Sequence, residues 1–487
     1  MKRREFLKLA ALGAPLFNIG CAGFGQARAR QIAAGAKIRV ALIGCGHRMS
    51  EIIQLVLAEK VVAMVDPDPA CLARLRAKIA NIPGGPEAIA GAVDFSDYRD
   101  LFDTMGGAID AVFVCTPNHH HALASVLAMR RGIHVYVEKP MALNVDEAKI
   151  MARVARETGV TTQVGNFGHS TRAMQLCVKA LRDHVIGDVE DVWCYDDRVN
   201  ALDHRPPAAP PPKGMNWDAW VGPAAWVDYY GPEGRRKVGL HPHDFHCWQG
   251  LGNGSIGNMG THIMDAAFYA FNLGRTPPTS VTAHVADFAC ADSWSYRTRL
   301  EWTFPEQADH GPLRLHWFDG LREGLDFTNV TLSDWGYAEG GRPMQYLPEA
   351  LLKCERDFHL EKAPFLSNGT LFVGTKGSIW FGHHSMVRFL PKTLGKDFVK
   401  RMEWTRQSLE HVTEFYNAIR EGREANTGFT FSTPLAECLL LGNVATLGGN
   451  TGRRLLWDGA RITNSKTANR YLRSTHRTGW ELAERAV

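Results

Sequence analysis

From Lys37 onward, short apolar runs alternate with longer stretches whose apolar residues recur at helical spacing. The runs predict strands over 38–43 (IRVALI), 61–65 (VVAMV), 111–115 (AVFVC), 133–137 (IHVYV) and 161–164 (TTQV). The stretches between them predict helices over roughly 47–58, 69–80, 119–131 and 145–158, the last with Asn144 and Glu147 as a capping box. Strand–helix alternation builds a parallel sheet, and parallel strands gather their carboxyl ends at one edge, where open α/β sheets bind ligands. The predicted tips are Gly44-Cys45-Gly46, Asp66, Thr116-Pro117-Asn118, Glu138-Lys139 and Gly165-Asn166. Residues far apart in sequence therefore converge on one crevice.

Past residue 166 the pattern changes. Residues 206–212 (PPAAPPP) form a loop or linker, and 217–248 is crowded with aromatics. Ser255 to Leu273 reads as a helix entered through glycines. Alternating runs at 280–285, 296–304, 313–318, 370–373 and 378–381 predict an open, largely antiparallel sheet, with a hairpin turn at Thr375-Lys376-Gly377. Helices follow over roughly 406–421, stopped by Gly422, and 433–446. The expected fold class is α/β. A Rossmann-type doubly wound parallel sheet occupies 36–165, an α+β domain with an open, mostly antiparallel sheet occupies 166–452, and a tail, 453–487, packs back on the body.

A chain of 487 residues exceeds one ordinary core, which agrees with two domains. Its start differs from the rest. Lys2-Arg3-Arg4-Glu5-Phe6-Leu7-Lys8, a weakly apolar run to Gly20, and Ala27-Arg28-Ala29 resemble a twin-arginine export signal with its cleavage site, so 1–29 is expected to be removed and the protein to be periplasmic. Cys21 is a lesser candidate for lipid attachment, because Asn18 stands where such sites carry an aliphatic residue. Residues 1–29 carry five basic side chains against Glu5, a net of +4, which is also the charge of the whole chain. The remainder is about neutral and is not expected to bind nucleic acid, which needs a concentrated basic surface. Ten scattered cysteines without a CxxC pair suit a protein folded in a reducing compartment before export. No later segment is long and apolar enough to span a membrane.

Gly44-Cys45-Gly46-His47-Arg48-Met49, between a strand and a helix, is a variant of the dinucleotide fingerprint. Its glycines allow a tight turn and close approach of backbone to a pyrophosphate at the helix N-terminus. Asp66, ending the second strand, accepts ribose hydroxyls and repels a 2′-phosphate, which favours NAD over NADP. Lys139 stands at a strand tip, where desolvation lowers an amine's pKa toward the range of proton transfer. The aromatics at 217–248 serve either core packing or a sugar's C–H face, with Trp248 expected nearest a pocket. His241-Pro-His243-Asp244-Phe-His246 crosses a proline in a loop and lacks a metal-site spacing, so no metal is expected and His246 is assigned to a substrate hydroxyl.

The ordered set Gly44-x-Gly46, Asp66, Thr116-Pro117-Asn118-His119-His120-His121 and Glu138-Lys139-Pro140 resembles the Gfo/Idh/MocA oxidoreductases. The likeness extends to Val164-Gly165-Asn166-Phe167-Gly168-His169-Ser170, where Phe167 replaces a glutamine, and to 216–223 and 254–265. It implies NAD-dependent hydride transfer at a secondary hydroxyl of a sugar, sugar derivative or cyclitol, and a homo-oligomer joined through the open sheet. Cofactor contacts fall on Gly44, Gly46, His47, Arg48, Asp66, Thr116, Pro117, Asn118, His121, Glu138, Lys139 and Asn166, with Asn118 and His121 bounding the nicotinamide and Glu138 orienting Lys139. Substrate contacts fall on Lys139, His169, Asn258, His262, His246 and Trp248. Lys139 and His262 are the expected proton acceptors. In many relatives the helical motif is D-x-x-x-H; here Asn258 replaces the Asp, so it orients His262 without charge and leaves it the weaker base. Export adds a constraint: with association near 10⁶ M⁻¹s⁻¹, keeping NAD for hours requires a Kd of about 10⁻¹⁰ M. That favours a cofactor held through a closed redox cycle. The alternatives are an NAD-dependent glycosidase working through a transient keto-sugar and a non-catalytic sugar- or dinucleotide-sensing protein.

Overall fold

The computed structural model describes residues 28–232, 239–308, 310–324, 342–383, 386–402 and 410–482; all but the last two residues of the export signal expected over 1–29, Cys21 included, lie outside them. The first sheet has six strands, β1 Arg39–Ile43, β2 Lys60–Val65, β3 Val93–Phe95, β4 Ala111–Val114, β5 His134–Val137 and β6 Thr162–Val164, in the order 3-2-1-4-5-6. All pairings are parallel. The order reverses between β1 and β4, and a crevice opens beyond the strand tips at that switch point. Five strands match the apolar runs. The sixth, β3, is short, and two of its three residues are exposed, so it leaves no apolar run to read.

Local chemistry starts the helices where they are needed. Before the helix Val145–Thr158, Asn144 Oδ1 accepts from Glu147 N at 3.0 Å while Asn144 Nδ2 donates to Glu147 Oε1 at 2.8 Å. Asp68 caps Pro69–Ile79 by accepting from Ala70 N at 2.9 Å. One layer on the first sheet comes from far along the chain. The helix His411–Glu421 lays Phe415 edge-on against Phe113, with ring centroids 5.6 Å apart, and Tyr416 Oη donates to Val56 O at 3.0 Å. The parallel sheet is therefore covered by residues outside the span 36–165.

The second sheet has eight strands: β7 Val189–Asp196, β8 Ser280–Asp287, β9 Arg297–Phe304, β10 Leu313–Gly320, β11 Gly369–Gly374, β12 Gly377–Gly382, β13 Met386–Leu390 and β14 Arg454–Leu456. Their order is 13-12-11-7-10-9-8-14, antiparallel except where β7 meets β10. Leu300, Trp302 and Phe304 on β9, with Leu313, Leu315 and Trp317 on β10, alternate into the core beneath the helices Gly254–Ala270 and Phe429–Thr446. The tail adds β14 to β8 and then crosses to the first domain, where Trp480 lies 3.4 Å below the Arg99 guanidinium and 5.8 Å from the Tyr98 ring. The nine described cysteines are free, and no helix among the described residues is long and apolar enough to cross a membrane.

Because Phe415 is fully buried between the domains' sequence halves, Phe415→Ala is expected to cost about 3–5 kcal/mol. A urea midpoint unchanged from the parent protein would show that this helix does not hold the parallel sheet.

Candidate functional site

The crevice begins at the turn after β1. Gly44 has φ +85°, and a Cβ there would meet Cys115 O at 2.5 Å, so only glycine fits. A Cβ at Gly46 would find no atom within 4 Å, because this residue faces the open cleft. The helix His47–Val56 starts with no side-chain cap and no acid in its first turn, leaving its N–H groups for an anion. At the tip of β2, buried Asp66 accepts from Cys45 N at 2.8 Å and Asp68 N at 2.9 Å; burial pushes its carboxyl up to about 6 against those donors. Turn, open glycine, bare helix end and acid together fit a dinucleotide. Thr116, Pro117, Asn118, Glu138 and Lys139 continue this wall, while Trp220, His241, Phe245 and His246 form the opposite one.

At the tip of β5, Lys139 Nζ donates to Asn258 O at 2.8 Å and to Asn258 Oδ1 at 3.0 Å. Burial pulls this amine down to about 8, with Glu138 opposing and Arg48 and Arg198 assisting. Glu138, expected to orient Lys139, does so through the backbone and not through the ammonium. Its Oε1 takes Arg48 Nε at 2.7 Å and its Oε2 accepts from the Lys139 backbone N at 3.2 Å, so it fixes the strand tip instead.

The two asparagines also have roles different from those expected. His262 Nδ1 lies 2.9 Å from Asn166 Oδ1, and Asn166 Nδ2 donates to Thr261 O at 3.4 Å. That network places the imidazole proton on Nδ1 and leaves the lone pair on Nε2. Asn166, assigned to the cofactor, thus orients the histidine, and Asn258, assigned to the histidine, holds the lysine. Burial drives the His262 pKa well below that of free imidazole, and Lys139 adds to this. The histidine is a weak base, but the cause is desolvation beside a cation.

Other assignments move as well. His121 is not at the cleft: it is buried beneath it, Nδ1 2.7 Å from Pro140 O and Nε2 2.9 Å from Thr116 O, and its neighbour His120 lines the wall. Asn118 does line the wall, donating from Nδ2 to Asn253 Oδ1 at 2.8 Å. His47 lines the mouth, 3.2 Å from Glu51. His169 is buried within the second domain, its Nδ1 2.9 Å from Asp265 Oδ1, and does not line the cleft. Trp248 is buried in the aromatic cluster with Nε1 donating to Tyr230 Oη at 2.7 Å; Trp220 takes the place at the cleft expected of it. His246 reaches the cleft as expected, with a pKa pushed well down by burial. Arg198 and Asp196, not among the expected site residues, pair at 2.9 Å at the end of β7 and act electrostatically on Lys139. β7, whose buried positions do not alternate cleanly, leaves no sequence signal for them.

Asp68, Cys71 and His241 bring three ligand atoms within 4.8 Å of one another. Arg74 Nη2 already lies 3.0 Å from Cys71 Sγ, and His241 Nδ1 accepts from Trp220 Nε1 at 3.2 Å. The His241 proton therefore sits on Nε2, facing Asp68 at 3.3 Å, and the cluster is satisfied by hydrogen bonds.

Residues 38–166 match the oxidoreductase family with an NAD-binding Rossmann fold, Gfo/Idh/MocA. A 2,7-anhydro-N-acetylneuraminate hydratase of Mediterraneibacter gnavus is 27% identical over 171 residues, 34% of this chain and 41% of that protein. Inositol 2-dehydrogenase of Rhizobium meliloti is 31% identical over 175 residues, 36% of this chain and 47% of that protein. The matches thus span less than half the length of these relatives. The WlbA dehydrogenase of Bordetella pertussis, solved with NADH and UDP-GlcNAcA, shares 17% identity and the fold, with a TM-score of 0.54 over 87% of this chain and 98% of that one.

A carboxylate in place of the Asn258 amide would favour the charged amine. Asn258→Asp is expected to raise the Lys139 pKa from about 8 by roughly one unit or more, read as the pH midpoint of Lys139 acylation by mass spectrometry. Equal midpoints would refute the contact between them.

Proposed function

We infer the reaction of this chain from the premise that it is a Gfo/Idh/MocA oxidoreductase whose first domain is an NAD-binding Rossmann fold: it moves a hydride between a secondary hydroxyl carbon of a sugar, sugar derivative or cyclitol and a tightly held nicotinamide. The observation that carries this reading is the partly buried Lys139 amine, with a pKa drawn down to about 8, at the rim of a cleft suited to a dinucleotide. Relatives named for inositol and for an anhydro-sugar support a ring polyol as substrate.

Gly44, Gly46 and the end of His47–Val56 would hold the pyrophosphate, and Asp66 the ribose. NAD, when bound, supplies the hydride acceptor. The chain's own residues handle the proton. Neutral Lys139 accepts it from the substrate hydroxyl, and the two Asn258 oxygens stabilise the ammonium that results. His262, with Nδ1 fixed by Asn166, offers its Nε2 lone pair as a second acceptor for that hydroxyl. Trp220, Phe245 and His246 on the facing wall limit water. The twin-arginine-like start supports a periplasmic site of action, where a retained cofactor working in a closed cycle avoids loss of NAD.

The test is absorbance of the nicotinamide bound to purified protein during addition of sugars. Sugar oxidation needs the neutral amine, so its rate is expected to rise as pH increases through about 8, and the reverse reduction to rise as pH falls through it. Lys139→Met is expected to lower turnover about 10²–10⁴-fold and remove that limb. Full turnover in this variant would eliminate the proposed base. Aglycone release with no net reduction would select the glycosidase, and an unchanging spectrum the sensor.

A further inference from the structure

Phe167 is an exposed aromatic beside His262, one of the two proposed proton acceptors. It opens the short turn Phe167–Ser170 after β6, and 45% of it is accessible to solvent. Single exposed apolar side chains are ordinary on protein surfaces. This one differs in its neighbours. Its ring centroid lies 5.8 Å from that of His262, and the Arg48 guanidinium stands 5.4 Å from it. The residue before it, Asn166, fixes His262, and Arg48 fixes the carboxylate of Glu138 next to Lys139. An apolar ring is thus set between His262 and Arg48, with nearly half its surface uncovered.

We propose that Phe167 is the stacking platform for the substrate: a pyranose or cyclitol lays the C–H face of its ring on this phenyl ring while its hydroxyl edge reaches Lys139 and His262. The electron-rich aromatic face attracts polarised C–H groups, and burial of the two apolar faces adds to that attraction. An open-chain polyol has no such face and gains little. The platform therefore selects ring compounds over acyclic ones. This inference rests on the reading of the site as a sugar oxidoreductase.

The test compares the wild type with Phe167→Ala, Phe167→Leu and Phe167→Tyr in the full chain with its co-purified nucleotide. Glucose, glucuronate and myo-inositol serve as ring substrates, and sorbitol and glycerol as acyclic ones. Phe167→Ala is expected to raise KM for a ring substrate about tenfold, with kcat and nucleotide content little changed. Phe167→Tyr restores KM. Phe167→Leu, which keeps apolar volume without an aromatic face, retains the wild-type melting temperature and still shows raised KM. An unchanged KM in an otherwise active enzyme overturns the platform alone. So does an equal penalty on acyclic polyols, or loss of nucleotide in place of loss of sugar affinity, which would assign the ring to the cofactor. A wild type that oxidises nothing in either set overturns the proposed function, and this inference with it.

Discussion

The site depends on how an amine can be kept in a dry place. Lys139 comes from the first sheet and both of its acceptors come from Asn258, on a helix packed against the second. Burial alone would make the ammonium costly, and two oxygen acceptors recover part of that cost. The balance leaves the amine at about 8. Both domains contribute: the first supplies the lysine and the helix Gly254–Ala270 of the second supplies its two acceptors. Arg48 and Glu138 complete the setting, since their ion pair holds the backbone of Lys139.

The same dryness explains the histidines around it. His119, His120 and His121 lie at the start of a helix whose first turns are buried, and burial lowers all three pKa values. Their ring nitrogens meet backbone carbonyls of Leu251, Trp220, Pro140 and Thr116. They tie the strand tips to the segments carrying Trp220 and Leu251, the first of which lines the opposite wall. What reads as a run of candidate chemistry is mainly scaffold.

The sequence was most legible where packing leaves a period. Parallel strands buried on both faces appear as apolar runs, so the five tips and their convergence are visible in the sequence itself. The edge strand β3, exposed at Val93 and Asp94, was not. Nor was β7, which centres the second sheet and carries Arg198 and Asp196 at its end. The helix His411–Glu421 was readable as a helix but not as a cover for the first sheet, because no local pattern records a partner roughly three hundred residues away. The candidate site followed the same rule. Lys139, Asp66 and the glycines were fixed by position on a tip, and the structure places them as expected. Asn166 and Asn258 had roles that only the side-chain geometry decides, and Trp248 and Trp220 were indistinguishable by type.

The most direct measurement is isotopic. A ring polyol deuterated at its carbinol carbons would be given to the protein loaded with NAD, and the nicotinamide ring then analysed by mass spectrometry. The account predicts that the reduced ring gains a single deuterium from the sugar carbon. Reduction without deuterium, or deuterium lost only to water, would contradict it.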